Sequence, residues 1–559
     1  FLPYAQINVR NIHRHNFCLN VNIRNPGQKT SDLDCEVQPW VFMLNLIFVE
    51  NLPHLTKHQF IDRYRRFEKV TNLVEAIEKK EGPIHLSSLA GSSLSFVLAA
   101  AYKSLELPFV LICNDKEEAA YYLNDLEQFL APEGKTNRQD VLFFPGSYRR
   151  PYQIEDTDNA NILLRAEVLN RISSQKKPAV IVTYPDALFE QVVTRRELKR
   201  NTLKISQGEK VSLDFVHDVL HEYKFNRVDF VVEPGDFAIR GGIIDVFSFS
   251  NEQPYRIEFF GDEVDSIRSF DIESQLSVDR LNRIDIMPNL ENKKLEEKRQ
   301  IFLDYIPAKS VIFTFNTALM EQRLDKLYEK ATEAFAQLKG ELSQLEPSEL
   351  FCDGKTFLEK ISQFQVSKIN EPGASPESVL RFDTLPQPSF NKQFELLIAN
   401  LRENDDQGYS NYIFCDNESQ AKRFHDIFDD MEEEVPYKTI TLPIYMGFID
   451  RDLKIACYTD HQIFERYHKF KLKSGFAKKQ SIKLKELTQL EQGDYVTHID
   501  HGIGRYGGLH KIEVEGKKQE AIKLIYGDRD VLYISIHALH KISKYNGKDG
   551  KPPKVHKLG

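Results

Sequence analysis

Apolar and polar positions recur along this chain with two different periods, and the changes of period divide it. From about Phe60 to Val193, short apolar runs stand between amphipathic stretches of helical period. The runs are Pro108–Cys113 (PFVLIC), Val141–Phe144 (VLFF) and Ala179–Thr183 (AVIVT), and the helical stretches include Lys116–Leu130 and Asn159–Ile172. Strands apolar on both faces and separated by helices predict a parallel sheet covered on both sides. From about Leu203 to Ile286 the period shortens to two. Arg227–Val232, Asp236–Arg240, Ile243–Phe249, Tyr255–Phe260 and Glu263–Phe270 alternate with Pro234-Gly235, Gly241-Gly242, Asn251–Pro254 and Gly261-Asp262. Such runs and turns predict a small β-rich domain of antiparallel strands. The α/β pattern then returns in the strand Ser310–Phe315 and a helix from Thr317 to about Leu345. Asn411–Cys415 followed by Ser419–Phe428 opens a second small α/β unit. From about Glu491 the chain is strand-rich with glycine turns and predicts a small barrel-like β module.

At 559 residues the chain exceeds one hydrophobic core, so several domains are expected. Hydrophobic content of 41% with 28% charged residues marks globular protein, and no apolar run is long enough to span a membrane. A net charge of −9 over so large a surface excludes a general nucleic-acid binder. The six cysteines are scattered with no CxxC spacing, which fits a reducing, cytoplasmic setting rather than a disulfide scaffold or zinc finger. Residues 1–42 show no sustained period and no signal-peptide layout, and are expected to be a non-native or unstructured leader.

Candidate chemistry is sparse. A P-loop reads GxxxxGK[ST], because glycines let backbone N–H groups wrap phosphate and lysine supplies the charge. The corresponding stretch here is Ser88-Leu89-Ala90-Gly91-Ser92-Ser93-Leu94-Ser95. Gly91 falls at one of the free positions and Ser95 at the Ser/Thr, but serines stand where both motif glycines would be and Leu94 where the lysine would be, so this is a degenerate P-loop and ATP binding is not expected. Asp262-Glu263 has no second acid placed for metal or glycosidase work, and neither GxSxG nor HExxH occurs. His498 and His501 beside Asp500 read as a turn rather than a metal site. The acidic run 429–434 reads as a solvated helix end. The stretch 466–485 is rich in lysine and reads as an exposed linker, with Lys478 and Lys479 as candidate phosphate contacts. No catalytic residue and no metal ligand is predicted.

Three segments carry a resemblance. VEPGDFAIRGGIIDVFSFSNEQPYRIEFFGDEV (Val232–Val264), FPGSYRRPY (Phe144–Tyr152) and YVTHIDHGIGRY (Tyr495–Tyr506) closely resemble the Mfd family of bacterial transcription-repair coupling factors, in order from about Asn45 onward. The resemblance implies a multidomain α/β fold with a β-rich inserted domain, a second small α/β domain and a C-terminal small β-barrel-like (CarD/Tudor-like) module. On that reading 43–202 and 287–375 are the two parts of a UvrB-like α/β domain, and 203–286 is an inserted UvrA-binding domain. Residues 376–465 form the small α/β domain, 466–489 a basic linker, and 490–559 the RNA-polymerase-interacting domain. Family members continue into a DNA translocase that uses ATP and Mg and makes most of the DNA contact. None of that part is expected in these residues, so no cofactor is assigned to them.

The implied role is the recruiting half of a coupling factor, bridging stalled RNA polymerase to UvrA. The alternative is a UvrB-like ATP-dependent enzyme acting on damaged DNA, against which stand Leu94 and the expected absence of an inserted aromatic hairpin after Tyr148. A CarD-like polymerase regulator accounts only for the last stretch. Period two places Tyr255, Ile257 and Phe259 on a core face, and Arg256, Glu258 and Phe260 outside. By position in the motif, the resemblance assigns Arg240, Arg256 and Phe260 to the UvrA surface. The competing structural reading is a salt bridge to Glu258 or Asp262 with Phe260 half-buried. In the terminal module the resemblance places the RNA polymerase β subunit against Glu520–Tyr526 by edge pairing, with Ile522, Lys523 and Leu524 as contacts.

Overall fold

The computed structural model describes residues 57–131, 140–147, 152, 159–174, 177–272, 274–289, 298–337, 345–371, 379–466, 491–498, 501–514, 517–527, 530–535, 542–544 and 555. Residues 1–42, the basic stretch with Lys478 and Lys479, and the segment 148–151 of the FPGSYRRPY motif lie outside the described residues.

The first α/β region is a seven-stranded sheet with every neighbouring pair parallel. Its order is Val379–Arg381, Ile84–Ser87, Gln365–Ile369, Val311–Thr314, Phe109–Ile112, Val180–Thr183, Val141–Phe144. Four of these strands, including the apolar runs at 109–112, 141–144 and 180–183, are buried at every position, as a sheet covered by helices on both faces requires. The helix Lys116–Leu130 starts where Asp115 accepts the Glu118 N–H at 2.9 Å. The helix from Thr317 is described to Gln337. One boundary differs from expectation: Val379–Arg381 pairs with Ile84–Ser87, so the first sheet reaches beyond residue 375. The small α/β unit begins only at the strand Thr384–Pro386.

The end of the strand Val141–Phe144 is tied to the rest by a buried ion pair. Arg165 and Glu190 approach to 3.4 Å with side chains 2% and 5% exposed. Arg165 also donates to the carbonyls of Pro145 and Ala187 and lies 4.3 Å over the Phe144 ring. Glu190 accepts the Ser147 N–H and, at 2.6 Å, its hydroxyl. The FPGS start of the motif is therefore held by charge-assisted hydrogen bonds from both partners.

Chain leaving this domain after Val193 and returning at Arg299 pairs twice with itself. Val192–Val193 joins Arg299–Gln300, and Leu203–Ser206 joins Arg283–Ile286, each antiparallel. Beyond this neck lies a six-stranded sheet in the order Ser277–Arg280, Glu263–Phe270, Tyr255–Phe260, Ile243–Val246, Asp236–Arg240, Asn226–Arg227. Two features depart from the all-antiparallel expectation. A helix, Leu213–Glu222, is capped by the Ser212 hydroxyl, which accepts the Phe215 N–H. It buries Val216 and Leu220, four apart, a helical spacing embedded in a region of period two. The expected strand Arg227–Val232 is a strand only at Asn226–Arg227, where it runs parallel to Asp236–Phe237. Past it, the Asp236 carboxylate accepts the N–H groups of Val232 and Glu233 and turns the chain into a loop.

The small α/β unit is a five-stranded mixed sheet flanked by the helices Phe394–Asp406 and Glu418–Asp430. The second helix ends inside the acidic run, and Glu433 beyond it pairs with Arg402. This unit shares a core with the first domain. Phe60 and Tyr64 of the helix Lys57–Arg65 contact the Phe96 ring, and Phe60 meets Tyr412 and Phe414 edge-on at 5.2 and 5.7 Å. The Tyr64 hydroxyl donates to Asp450 at 2.8 Å. The C-terminal module is a five-stranded antiparallel sheet ordered Val531–Ser535, Lys517–Ile525, Gly502–Val514, Tyr495–His498, Ile542–Lys544.

Candidate partner-binding surfaces

The P-loop position is filled by protein. The Leu89 N–H donates to Asn370 Oδ1 at 3.2 Å, Ala90 N–H to Thr384 Oγ1 at 2.8 Å, and Ser92 N–H to Met446 O at 2.9 Å. The donors that would cradle a phosphate are thus spent on Asn370, which follows the strand Gln365–Ile369 of the first sheet, and on Thr384 and Met446 of the small α/β unit. Gly91 has φ of +54°, and a Cβ there would lie 2.6 Å from Gly447 O and 2.9 Å from Met446 O. Here the glycine serves close approach of another segment rather than of phosphate. Leu94 is buried in the core, and the Ser95 hydroxyl donates to Asp125 at 3.0 Å. Burial pushes the Asp125 carboxyl up to about 7, against hydrogen bonds from Ser92, the Tyr445 N–H and Ser95 and the charge of His461.

The outer face of the inserted sheet brings Arg240 and Arg256 together. Asp245 stands directly opposite Arg256, and Arg256 Nε and Nη2 donate to its two oxygens at 2.7 and 2.8 Å. Arg240 Nη1 lies 3.8 Å from the same carboxylate. Arg256 also covers the Phe270 ring at 4.7 Å. Asp245 is 2% and Arg256 12% exposed. Burial alone would lower the Arg256 guanidinium, but the hydrogen bonds and charge of Asp245 outweigh it and hold it above its ordinary value. Neither expected partner, Glu258 or Asp262, is the one found. Glu258 instead pairs with Arg268 and accepts from Ser266. Arg256 is a fixture of the sheet through this pairing, with 12% of its side chain left exposed on the outer face.

Arg240 is more open, 32% exposed, and donates to the Asp229 carbonyl at 2.6 Å while lying 5.1 Å over Phe230. Phe260 is 84% exposed at the end of its strand, where Gly261 turns the hairpin with φ of +62°. It is not half-buried. Asp245 and Phe230 were missed by sequence reasoning. Asp245 alternates with Ile244 and Val246 inside an apolar strand, and that inverted polarity was the available signal.

In the C-terminal module, the face containing Ile522, Leu524 and Tyr526 is buried. Tyr506, Leu524 and Leu532 stand opposite one another across three strands, as do Ile522 and Ile534 across two. Lys523 is half-buried on the other face. Edge pairing to this strand is ruled out, because Lys517–Ile525 is already paired on both sides. Ile522 and Leu524 are core residues. The two edges of the sheet are Ile542–Lys544 and Val531–Ser535, and on the second Val531 and Tyr533 are exposed.

Comparison with known proteins agrees with this layout. A family described as UvrB interaction domain matches residues 203–291, and one described as CarD-like/TRCF RID domain matches residues 490–546. A chain with an α/β scaffold carrying these two modules resembles the coupling factors in layout. It is a relative of the transcription-repair-coupling factors and corresponds to their N-terminal part. The protein of that name from Bacillus subtilis (strain 168) is 24% identical over 85% of this chain and 46% of its own length. The one from Myxococcus xanthus is 24% identical over 89% and 48%, and that from Haemophilus influenzae 23% over 75% and 42%. The chain spans a little under half the length of these relatives. Among the described residues no helix is long and apolar enough to cross a membrane.

Proposed function

We propose that this chain is the recruiting part of a transcription-repair coupling factor, acting in the cytoplasm as an adaptor rather than an enzyme. The inserted domain takes UvrA on its outer face, with Phe260 and Arg240 as contacts and Arg256 as the residue that holds the face in shape. An exposed aromatic and a half-open arginine on one sheet are the composition of an interface hot spot. The C-terminal module takes the β subunit of RNA polymerase by strand addition along Val531–Ser535, the open edge with the exposed Val531 and Tyr533. Nucleotide and DNA work belong to the part of the family beyond these residues.

The observation that carries the reading is the pairing of the two matched modules with a P-loop position whose N–H donors bond to Asn370, Thr384 and Met446. A UvrB-like ATPase needs those donors free. The test is binding of the purified chain to UvrA and to ATP in parallel, wild type beside Phe260→Ala. Binding of UvrA by the wild type, its loss in the variant and no ATP binding are expected. ATP binding without UvrA binding overturns the adaptor reading in favour of the UvrB-like enzyme.

A further inference from the structure

Two histidines of the inserted domain take no part in either partner surface. The helix Leu213–Glu222 carries the run His217-Asp218-Val219-Leu220-His221. Residues four apart share a helix face, so the two imidazoles stand one above the other beside the buried pair Val216 and Leu220. Their Nε2 atoms are 2.9 Å apart, with ring centroids at 4.4 Å and planes at 81°. The fully buried Phe237 meets both rings edge-on, 5.4 Å from His221 and 6.1 Å from His217, and limits where they can swing. The pair still reaches solvent: the His217 side chain is 29% exposed, and His221 is exposed.

Hydrogen bonding sets the protons. The Asp218 carboxylate lies 3.3 Å from His217 Nδ1 and can only accept, so Nδ1 carries the proton. His217 Nε2 is then a bare lone pair, and the N–H between the rings belongs to His221. An imidazole oriented by a carboxylate at one nitrogen and bare at the other is the form that ligates a metal. His221 needs only to move its proton to Nδ1 for a second lone pair to face the same point. The span then selects the ion. Metal–imidazole bonds of about 2.0–2.1 Å across 2.9 Å enclose an angle of about 90°, whereas a tetrahedral ion needs nitrogens about 3.3 Å apart. A right angle between nitrogen ligands suits the tetragonal ions Cu(II) and Ni(II). Among the described residues no group of three or more His, Cys, Asp or Glu could hold a metal, so these two rings are the ligands the protein supplies there.

We propose that His217 and His221 form a two-imidazole chelate for a tetragonal divalent metal ion, Cu(II) or Ni(II), which clips one turn of the helix and leaves the outward coordination positions to solvent. Asp218 is the positioning residue. The site lies on the Phe237 side of the inserted sheet, while Arg240, three residues on, alternates to the other face. It is therefore independent of the partner assignment.

The test titrates the full chain with CuCl2 and, separately, ZnCl2, wild type beside His217→Ala and His221→Gln. Calorimetry counts the bound metal, the variants subtracting whatever the chain's other histidines take up. Amide hydrogen exchange over 213–222 locates the ion and, in wild type alone, needs no variant to fold. Wild type is expected to bind one Cu(II) more than either variant, and more tightly than Zn(II). At free Cu(II) about ten times Kd, exchange in the wild-type helix should slow roughly tenfold, and in neither variant. Equal metal counts in wild type and both variants overturn the site, as does helix exchange in wild type that Cu(II) leaves unchanged. Tighter binding of Zn(II) than of Cu(II) at these two residues overturns the tetragonal assignment.

Discussion

Arg256 and Phe260 lie on one strand and one face, yet their side chains have opposite fates. Arg256 is held by a carboxylate only 2% exposed, so removing it strands a buried charge. Arg256→Ala is expected to destabilise the protein by about 3 kcal/mol, less whatever Arg240 recovers as substitute partner. Phe260 is free of such ties, and Phe260→Ala should shift stability by no more than about 0.5 kcal/mol while weakening UvrA binding by about 2 kcal/mol. Urea melts beside binding isotherms separate the two, and a reversed pattern contradicts the assignment. A third residue reports on the filled P-loop position. The Asp125 carboxyl sits at about 7 in the folded chain against about 3.9 when unfolded. The folded chain therefore holds a proton that the unfolded chain releases between those values. The stabilisation is complete below about pH 4 and lost as pH rises through 7. Asp125→Asn should flatten that part of the stability–pH curve relative to wild type, and an unaltered slope in urea melts across pH 4–8 contradicts it.

At the scale of elements, apolar strands and capped helices were legible because each is decided by its own residues. Lys116–Leu130 was read with the bounds found, and Val141–Phe144 likewise. Failures came where a distant surface decides. The run RVDFVV has the composition of a strand, but Asp236 turns its backbone and the C-terminal module buries its side chains. The alternation of Ile522, Lys523 and Leu524 was correct, while its meaning depended on which strands flank it, and that is a matter of topology. Val379–Arg381 was misplaced for the same reason, since pairing with Ile84–Ser87 spans nearly the whole domain. The outer-face arginines were found by position in a motif, whereas their shared partner Asp245 appears only once strand register is known. Leu524→Ala is expected to cost about 3 kcal/mol as a core truncation. Val531→Lys/Tyr533→Lys should leave the melt unchanged but reduce polymerase β-subunit binding at least about tenfold, because charged side chains along an edge oppose strand addition. Equal binding by that edge variant and wild type moves the polymerase site elsewhere.

Among the described residues, two α/β units share a core and the inserted domain branches from the first of them. The small α/β unit is locked to the first sheet by Phe60, Tyr64 and the filled P-loop position. The inserted domain stands on a neck of two antiparallel pairs. Breaking the buried pair at the motif end of the scaffold, with Glu190→Gln, is expected to lower stability by about 3 kcal/mol without altering either partner surface. A chemical melt together with unchanged UvrA binding at low temperature checks it. On the proposed function, one chain holds two partners at once. Its most direct test is retention of UvrA on immobilised RNA polymerase β subunit with and without the chain. UvrA is expected to be retained only when the chain is present, and Phe260→Ala is expected to abolish retention while the variant chain itself still binds the polymerase subunit. Polymerase-bound chain that fails to hold UvrA contradicts it.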